Sequence, residues 1–475
     1  MNGFDRHDLE VALRYDLASF IQRSFQTVVP AADYQDNWHI DAVAWHLRQC
    51  FDGQIKRLII TLPPRNLKSI CASVAFPAWV LGRDPTRRII CASYANELTA
   101  KHARDCRRVM ESGWYRSVFP RTRLNPKKSA ELDFETTRQG YRYGTSLGGA
   151  LTGRGGNFVI VDDPIKPGDA MSDVRRESVK QWFDGTLYSR LDSKKDDVII
   201  IVMQRVHVDD LVGHLLEKNA GWVHLDLPAI ADADQAVPIG PCEVHHRQFG
   251  EVLHPDREPL EVLDQIKAEM GTLAFSAQYQ QRPVAVEGNL VKWKWFQFYD
   301  CPPAHDGDGR VIQSWDTASK AGELNDYSVC TTWLMKGDGY YLLDVLRERL
   351  DYPHLKKRVI DMARRHAAHS VLIEDKGSGT QLIQDLRYEK TGVRPIPIVP
   401  ETDKVTRLSN QSANIEAGQV ILPESAPWLD EFKAEIMAFP NGRFDDQVDS
   451  LSQFLGWAER NKRFRVGSGR HFGMY

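Results

Sequence analysis

No apolar run in this sequence exceeds the length of a strand, the longest being Val198 to Met203, whereas a membrane span needs about 18 or more apolar residues in succession. The N-terminus also lacks the basic, apolar and small-residue order of a signal peptide. Both absences exclude a spanning or exported protein and lead to the expectation of a cytoplasmic one with no membrane partner. Cysteine is scarce: there are seven, at 50, 71, 91, 106, 242, 301 and 330, odd in number, scattered and without a CxxC pair. That excludes a disulfide framework and a zinc site, and leaves reduced, mostly buried thiols. An excess of charge is missing too. With 61 Lys and Arg against 64 Asp and Glu the net charge is −3, so the chain does not coat nucleic acid through bulk charge, and any contact with DNA has to be local. Short basic clusters run from Arg121 to Lys128, Lys356 to Arg365 and Arg460 to Arg470; such runs serve equally well as solvated helix faces. Low-complexity tracts and internal repeats are absent.

What is present is a globular composition, 42% hydrophobic and 26% charged, over 475 residues, which is too long for one ordinary core and implies two large domains with a connector. From Lys56 to Leu227 apolar, β-branched runs alternate with helical stretches: Arg57 to Leu62, Arg87 to Tyr94, Asn157 to Val161, Val198 to Met203 and Trp222 to Leu227. That alternation predicts a parallel sheet covered on both faces. Between Ile230 and Asp308 the pattern loosens into Pro, Gly and Asp around one amphipathic helix, Pro259 to Glu269, and reads as the connector. After Arg310 three successive strands (Arg310 to Thr317, Ser328 to Met335, Tyr340 to Leu346) precede helices alternating with strands at Ser370 to Glu374, Arg394 to Val399 and Gln419 to Leu422. A meander followed by that alternation is the order of an RNase H-like α/β fold.

Leu62-Pro63-Pro64-Arg65-Asn66-Leu67-Lys68-Ser69 follows the first strand and opens an apolar helix, where a phosphate-binding loop belongs. Such loops hold phosphate on backbone N–H groups at a helix N-terminus, with Lys reaching the β- and γ-phosphates and Ser on Mg²⁺; Lys68 and Ser69 suit those roles. Leu62 and Leu67 stand where the common motif has glycines, so the run also suits an ordinary strand-turn-helix. Phe158 to Asp163 is a buried-type strand ending in two carboxylates, as expected where Asp162 holds Mg²⁺ and Asp163 orients or deprotonates water; a pair of acids capping the next loop is the alternative. Arg154, in the glycine loop Leu151 to Gly156, suits an arginine finger acting in trans, or a loop Arg held by a carboxylate. Gln204-Arg205 can sense a γ-phosphate, or form a strand-end hydrogen bond.

In the C-terminal half Asp316 ends one strand, Glu374 ends another, and Phe444-Asp445-Asp446-Gln447-Val448-Asp449 opens a late helix. Two-metal phosphodiester cleavage requires hard oxygen ligands from converging segments to hold two Mg²⁺ or Mn²⁺ ions. Asp446 and Asp449 share a helix face. Asp446 is the preferred third ligand, with Asp445 and Asp449 as alternates; any one of these acids taken singly also serves as a cap.

With these pieces in order the sequence resembles the large terminase subunit of tailed bacteriophages and prophages over residues 35 to 460, through IKRLIITLPPRNLKS, ALTGRGGNFVIVDDP, IIIVMQRVHVDDL, FSAQYQQRPVAVEGN, SWDTASK, VLIEDKGSGTQL and FDDQVDSL. The resemblance implies an N-terminal helical segment (1–35), a P-loop ATPase domain (36–229), a connector (230–308), an RNase H-like nuclease domain (309–460) and a basic tail (461–475). It implies ATP-driven movement of double-stranded DNA into a procapsid, with metal-dependent cutting. Its implied partners are DNA, a terminase small subunit and the portal, on which a homo-oligomeric ring sits in the bacterial cytoplasm. ATP and Mg²⁺ are the implied cofactors, on Lys68, Ser69, Asp162 and Asp163, with Asp316, Glu374 and Asp446 as nuclease ligands. Asn37-Trp38-His39 sits where that family places adenine-contacting residues, and suits a core position equally well. Two other readings stand beside it: a decayed prophage scaffold that binds nucleotide without hydrolysing it, and a helicase-nuclease of DNA repair.

Overall fold

A computed structural model describes residues 6–468 apart from 150, 152, 219–220, 284–289, 305–308, 318–326, 390, 401, 441 and 443. It falls into two compact units, Met1–Lys267 with Thr272–Ala285, and Ala268–Gly271 with Val286–Tyr475. The stretch expected to be a connector is therefore divided between the two. No helix among the described residues is long and apolar enough to cross a membrane.

The first unit is built on eight strands: β1 (Arg57–Thr61), β2 (Arg88–Ser93), β3 (Leu124–Ser129), β4 (Asp133–Thr136), β5 (Tyr141–Ser146), β6 (Phe158–Asp162), β7 (Val198–Met203) and β8 (Val223–Asp226), in the order β3-β4-β5-β2-β6-β7-β1-β8. From β5 to β8 every pairing is parallel. The central strands β1, β2, β6 and β7 are apolar almost throughout because both faces are covered. In β7, Val198, Ile200 and Val202 enter one core, shared with Leu47, Phe76 and Trp79, while Ile199, Ile201 and Met203 enter the other, shared with Trp182, Leu211 and Val212. Each such fully buried side chain contributes about 1.5–3 kcal/mol. The expectation of a purely parallel sheet needs correction at one edge, where β3, β4 and β5 run antiparallel. Pro126, Lys127 and Lys128 lie in β3, and an edge strand tolerates both a missing N–H and exposed charge. A small hairpin, β9 (Gln235–Pro238) with β10 (Val244–Arg247), and the helix Thr272–Gln278 complete the unit.

The second unit carries β11 (Gln297–Tyr299), β12 (Arg310–Asp316), β13 (Ser328–Lys336), β14 (Gly339–Glu348), β15 (Ser370–Glu374), β16 (Pro395–Ile398) and β17 (Val420–Pro423), ordered β11-β17-β14-β13-β12-β15-β16. β12, β13 and β14 form the expected antiparallel meander, and β15 adds parallel to β12, so the RNase H-like order is realised. The helix Asp446–Ser468 packs on one face through Val448, Leu451 and Phe454, the last stacked on Trp333 at 4.6 Å. The helices Tyr352–Arg365 and Ser378–Tyr388 cover the other face through Val359 and Leu382. Two of the five cations in the basic cluster at 356–365 are paired locally: Lys356 with Asp385 and Glu389, and Arg358 with Glu348. The basic tail expected at 461–475 continues the last helix to Ser468, and its remainder lies outside the described residues. Five of the seven cysteines are buried.

Candidate functional site

In the first unit β6, β7 and β1 are neighbours, so the loops leaving their carboxyl ends meet at one rim, the place where open α/β sheets bind ligands. The loop after β1 turns left-handed at Arg65 (φ 64°) and Leu67 (φ 59°). Leu67 thus takes the conformation that glycine supplies in the common motif, at a cost of about 1–2 kcal/mol. Leu62 is core and needs no such freedom. The Asn66 amide donates to the carbonyl of Pro64 (3.1 Å), and Arg257 donates to the carbonyl of Arg65. The helix that follows begins with a π-helical stretch, Ile70–Ala75, a feature frequent at functional sites.

Around this loop the expected residues converge. Ser69 Oγ donates to one oxygen of Asp162 (3.0 Å) and Ser73 Oγ to the other (2.7 Å), while His102 Nδ1 lies 3.5 Å from the second. Asp163 accepts Lys68 Nζ at 3.1 Å and the N–H of Gln204 at 3.3 Å, and Lys68 also reaches Gln204 Oε1 at 3.3 Å. Burial raises the carboxyl pKa of Asp162 against Ser73, Lys68 and Ser69. Burial raises that of Asp163 too, against Lys68 and with the help of Asp162. Three residues of this cluster, Ser73, His102 and Arg142, escaped sequence reasoning. Ser73 lies one turn beyond Ser69, a spacing that could have marked it. Arg142, wholly buried in β5, donates to the carbonyl of Ser73 (3.2 Å) and lowers Asp162 electrostatically; an Arg within a strand gives no such signal.

Other candidates are placed elsewhere. Arg154 pairs with Asp133 between the rings of Tyr141 and Tyr143, the carboxylate-held arrangement. Arg205 is fixed by both oxygens of Asp210 (3.0 and 2.9 Å). In the run Asn37-Trp38-His39, Trp38 stacks on His245 at 4.1 Å and Asn37 donates to the carbonyl of Leu253 (2.8 Å). Burial, together with His254, depresses the pKa of His39 to about 3.

In the second unit Asp316, Glu374 and the start of the last helix approach one another. Burial raises Asp316 well above the ordinary carboxyl range; Asp449 is the strongest carboxylate contributor, ahead of Glu374 and Asp446. Asp446 is pushed to about 6 by burial, Glu435 and Asp445. Asp449 is buried and paired with Lys404 and Arg407; Lys404 also holds Asp445 (2.7 Å), and Arg407 lies 4.0 Å from Glu374. Of the three late acids, then, Asp449 sits deepest and acts most on Asp316, whereas the sequence favours Asp446. Lys404 and Arg407, one helical turn apart, were not anticipated because they read as a solvated face. Among the described residues no three His, Cys, Asp or Glu groups are gathered closely enough to hold a metal ion; the donors are nonetheless hard carboxylate oxygens whose mutual repulsion a divalent cation relieves. A buried polar seam seats the last helix: Ser450 Oγ donates to the carbonyl of Ser314 (2.7 Å), Ser314 Oγ donates to the carbonyl of Ser450 (2.8 Å), and Gln453 reaches Ser314 Oγ (2.9 Å). Under β15, Gly379 is obligatory, since a Cβ there would lie 2.0 Å from the carbonyl oxygen of Glu374.

Comparison with known proteins matches residues 313–456 to the terminase RNaseH-like domain family. No curated protein matches the chain. Among solved structures, the large terminase of a thermophilic bacteriophage in complex with ADP has a TM-score of 0.55 at 10% identity, covering 89% of this chain and 99% of that one. The same phage's large terminase in complex with ATP-gamma-S gives 0.51 at 11% identity, covering 88% and 98%. At these identities the likeness establishes a shared fold along nearly the whole length.

Proposed function

We propose, on the premise that this chain has the fold of a phage large terminase and carries a terminase RNase H-like domain, that it is a terminase large subunit. In this reading it uses ATP to drive double-stranded viral DNA into a procapsid and cuts concatemeric DNA with a metal-dependent nuclease. The observation that carries the reading is the pairing of two sites of different chemistry. Lys68, Ser69, Asp162, Asp163 and Gln204 meet at adjoining strand ends, and in the second unit Glu374 and Asp449 face one guanidinium, that of Arg407, with Asp316 within their electrostatic reach. Ser69 and Asp162 would hold Mg²⁺, which supplies charge neutralisation on the triphosphate. Lys68, with the N–H groups of Arg65, Asn66 and Leu67 in the loop that Pro64 opens, binds the phosphate oxygens; Asp163 orients the attacking water and takes its proton. In the second unit Asp316, Glu374 and Asp449, with Asp446 and Asp445 beside them, would hold two Mg²⁺ or Mn²⁺ ions, which stabilise attacking and leaving oxygens. Terminase small subunit, portal and further copies of the chain in a ring are the partners this function requires, in the bacterial cytoplasm. Arg154 belongs to the reading only as a finger released from Asp133 toward a neighbouring subunit.

The left-handed backbone of Leu67 weakens the scaffold reading, because the missing glycine does not prevent the loop from forming. ATP hydrolysis by the purified chain, with and without linear duplex DNA, tests the proposal. DNA-stimulated turnover lost in both Lys68→Ala and Asp163→Asn is expected; equal turnover in wild type and Lys68→Ala overturns it.

A further inference from the structure

Lys68 can only donate, so the atom of Gln204 facing it is the amide oxygen, and the NH₂ group must point away and find an acceptor. It finds Gln278 Oε1, at 3.3 Å. The residue after Gln204 is tied to the residue three after Gln278. The N–H of Arg205 donates to Gln281 Oε1 (2.9 Å), and Gln281 Nε2 donates to the carbonyl of Gln278 (2.6 Å). Gln281 is 2% exposed and sits at φ 56°, a left-handed conformation that a non-glycine residue keeps only when its surroundings over-determine it. The same segment is pinned beyond β8: Gln280 bonds both the N–H (2.9 Å) and the carbonyl (3.0 Å) of Ile230, and the N–H of Ala229 reaches the carbonyl of Tyr279 (2.7 Å). A residue that filled space alone would not need this donor and acceptor matching. The stretch Phe275 to Arg282 is therefore a brace on the β7 exit, and among the described residues its side-chain contact to a residue that touches Lys68 is made by Gln278.

We propose that Gln278 is a positioning residue of the nucleotide site, fixing the amide of Gln204 with its oxygen toward Lys68, so that Gln204 responds when Lys68 exchanges Asp163 for a phosphate oxygen. This rests on the reading of the site as an ATPase. Loss of the acceptor leaves the Gln204 amide free to turn, while the loop that binds nucleotide is untouched. The effect falls on turnover and not on ATP binding.

The experiment is steady-state ATP hydrolysis by the full chain with linear duplex DNA, comparing wild type with Gln278→Leu, Gln278→Glu, Gln204→Ala, Gln204→Ala/Gln278→Leu and Lys68→Ala. Gln278→Leu is expected to lower kcat about five- to tenfold, the worth of one side-chain hydrogen bond, with KM for ATP and the melting temperature unchanged. Gln278→Glu, which keeps an acceptor, restores most of kcat. In the Gln204→Ala background Gln278→Leu has no further effect, as coupled residues require. If wild type is active and Lys68→Ala is dead, but Gln278→Leu keeps full kcat or its loss simply adds to that of Gln204→Ala, the positioning role is wrong and the ATPase reading survives. If wild type and Lys68→Ala are equally inactive, the ATPase reading fails and takes this role with it.

Discussion

Histidines inside the first unit are held neutral, and that has a cost in acid. His39 and His102 are buried, and withdrawal from water depresses their pKa values to about 3 and about 4. Because the folded values lie below the unfolded value near 6.5, the unfolded chain binds more protons once pH falls below 6.5. Stability is thus full above 6.5 and is lost as pH falls toward 4, by up to about 1.4 kcal/mol per pH unit for each histidine. The midpoint of urea unfolding of the first unit should fall between pH 6.5 and 4.5, and His39→Asn should flatten that slope; an unchanged slope would mean that His39 is not buried neutral. Backbone strain belongs to the same scale. Arg65, Leu67, Asp163 and Gln281 all take left-handed backbones around one rim, in keeping with the clustering of strain at functional sites.

Elements aim the side chains that residues supply. Gly379 lets the helix Ser378–Tyr388 pack against the end of β15, and so fixes Glu374. Gly379→Ala should push that helix away, destabilise the second unit by about 1–3 kcal/mol and cut DNA cleavage at least tenfold, with ATP turnover retained; normal cleavage would show that the close approach does not place Glu374. The same scale explains what could be read in advance. β1, β2, β6 and β7 announce themselves because burial on both faces makes them almost continuously apolar, and Lys68-Ser69 and Asp162-Asp163 are legible because they fall at the ends of two such strands. β3 and β5 are hidden, one by Pro126 and its lysines at an edge, the other by Gly144 and the buried Arg142. Gln278, Gln281, Lys404 and Arg407 are hidden for a different reason: polar residues on helices and turns look solvated until a partner distant in sequence is placed beside them.

At the scale of the whole molecule the two candidate sites lie in different compact units, so the two proposed activities should fail separately. Asp316→Asn and Asp449→Asn are expected to abolish cleavage of linear duplex DNA in Mg²⁺ while leaving DNA-stimulated ATP hydrolysis within about twofold of wild type; joint loss in a folded variant would refute the separation. The doubly covered sheet of the first unit has a further consequence, visible in a mutational screen. Substitutions within β1, β6 and β7 should empty the soluble fraction, since no face of these strands is free to accommodate change. Soluble but inactive variants should instead concentrate in the loops at 62–69, 162–163, 204–205 and 278–281. The map of tolerated inactivity would then trace the rim of the sheet, and a selection scored for solubility and turnover together would outline the site without any ligand.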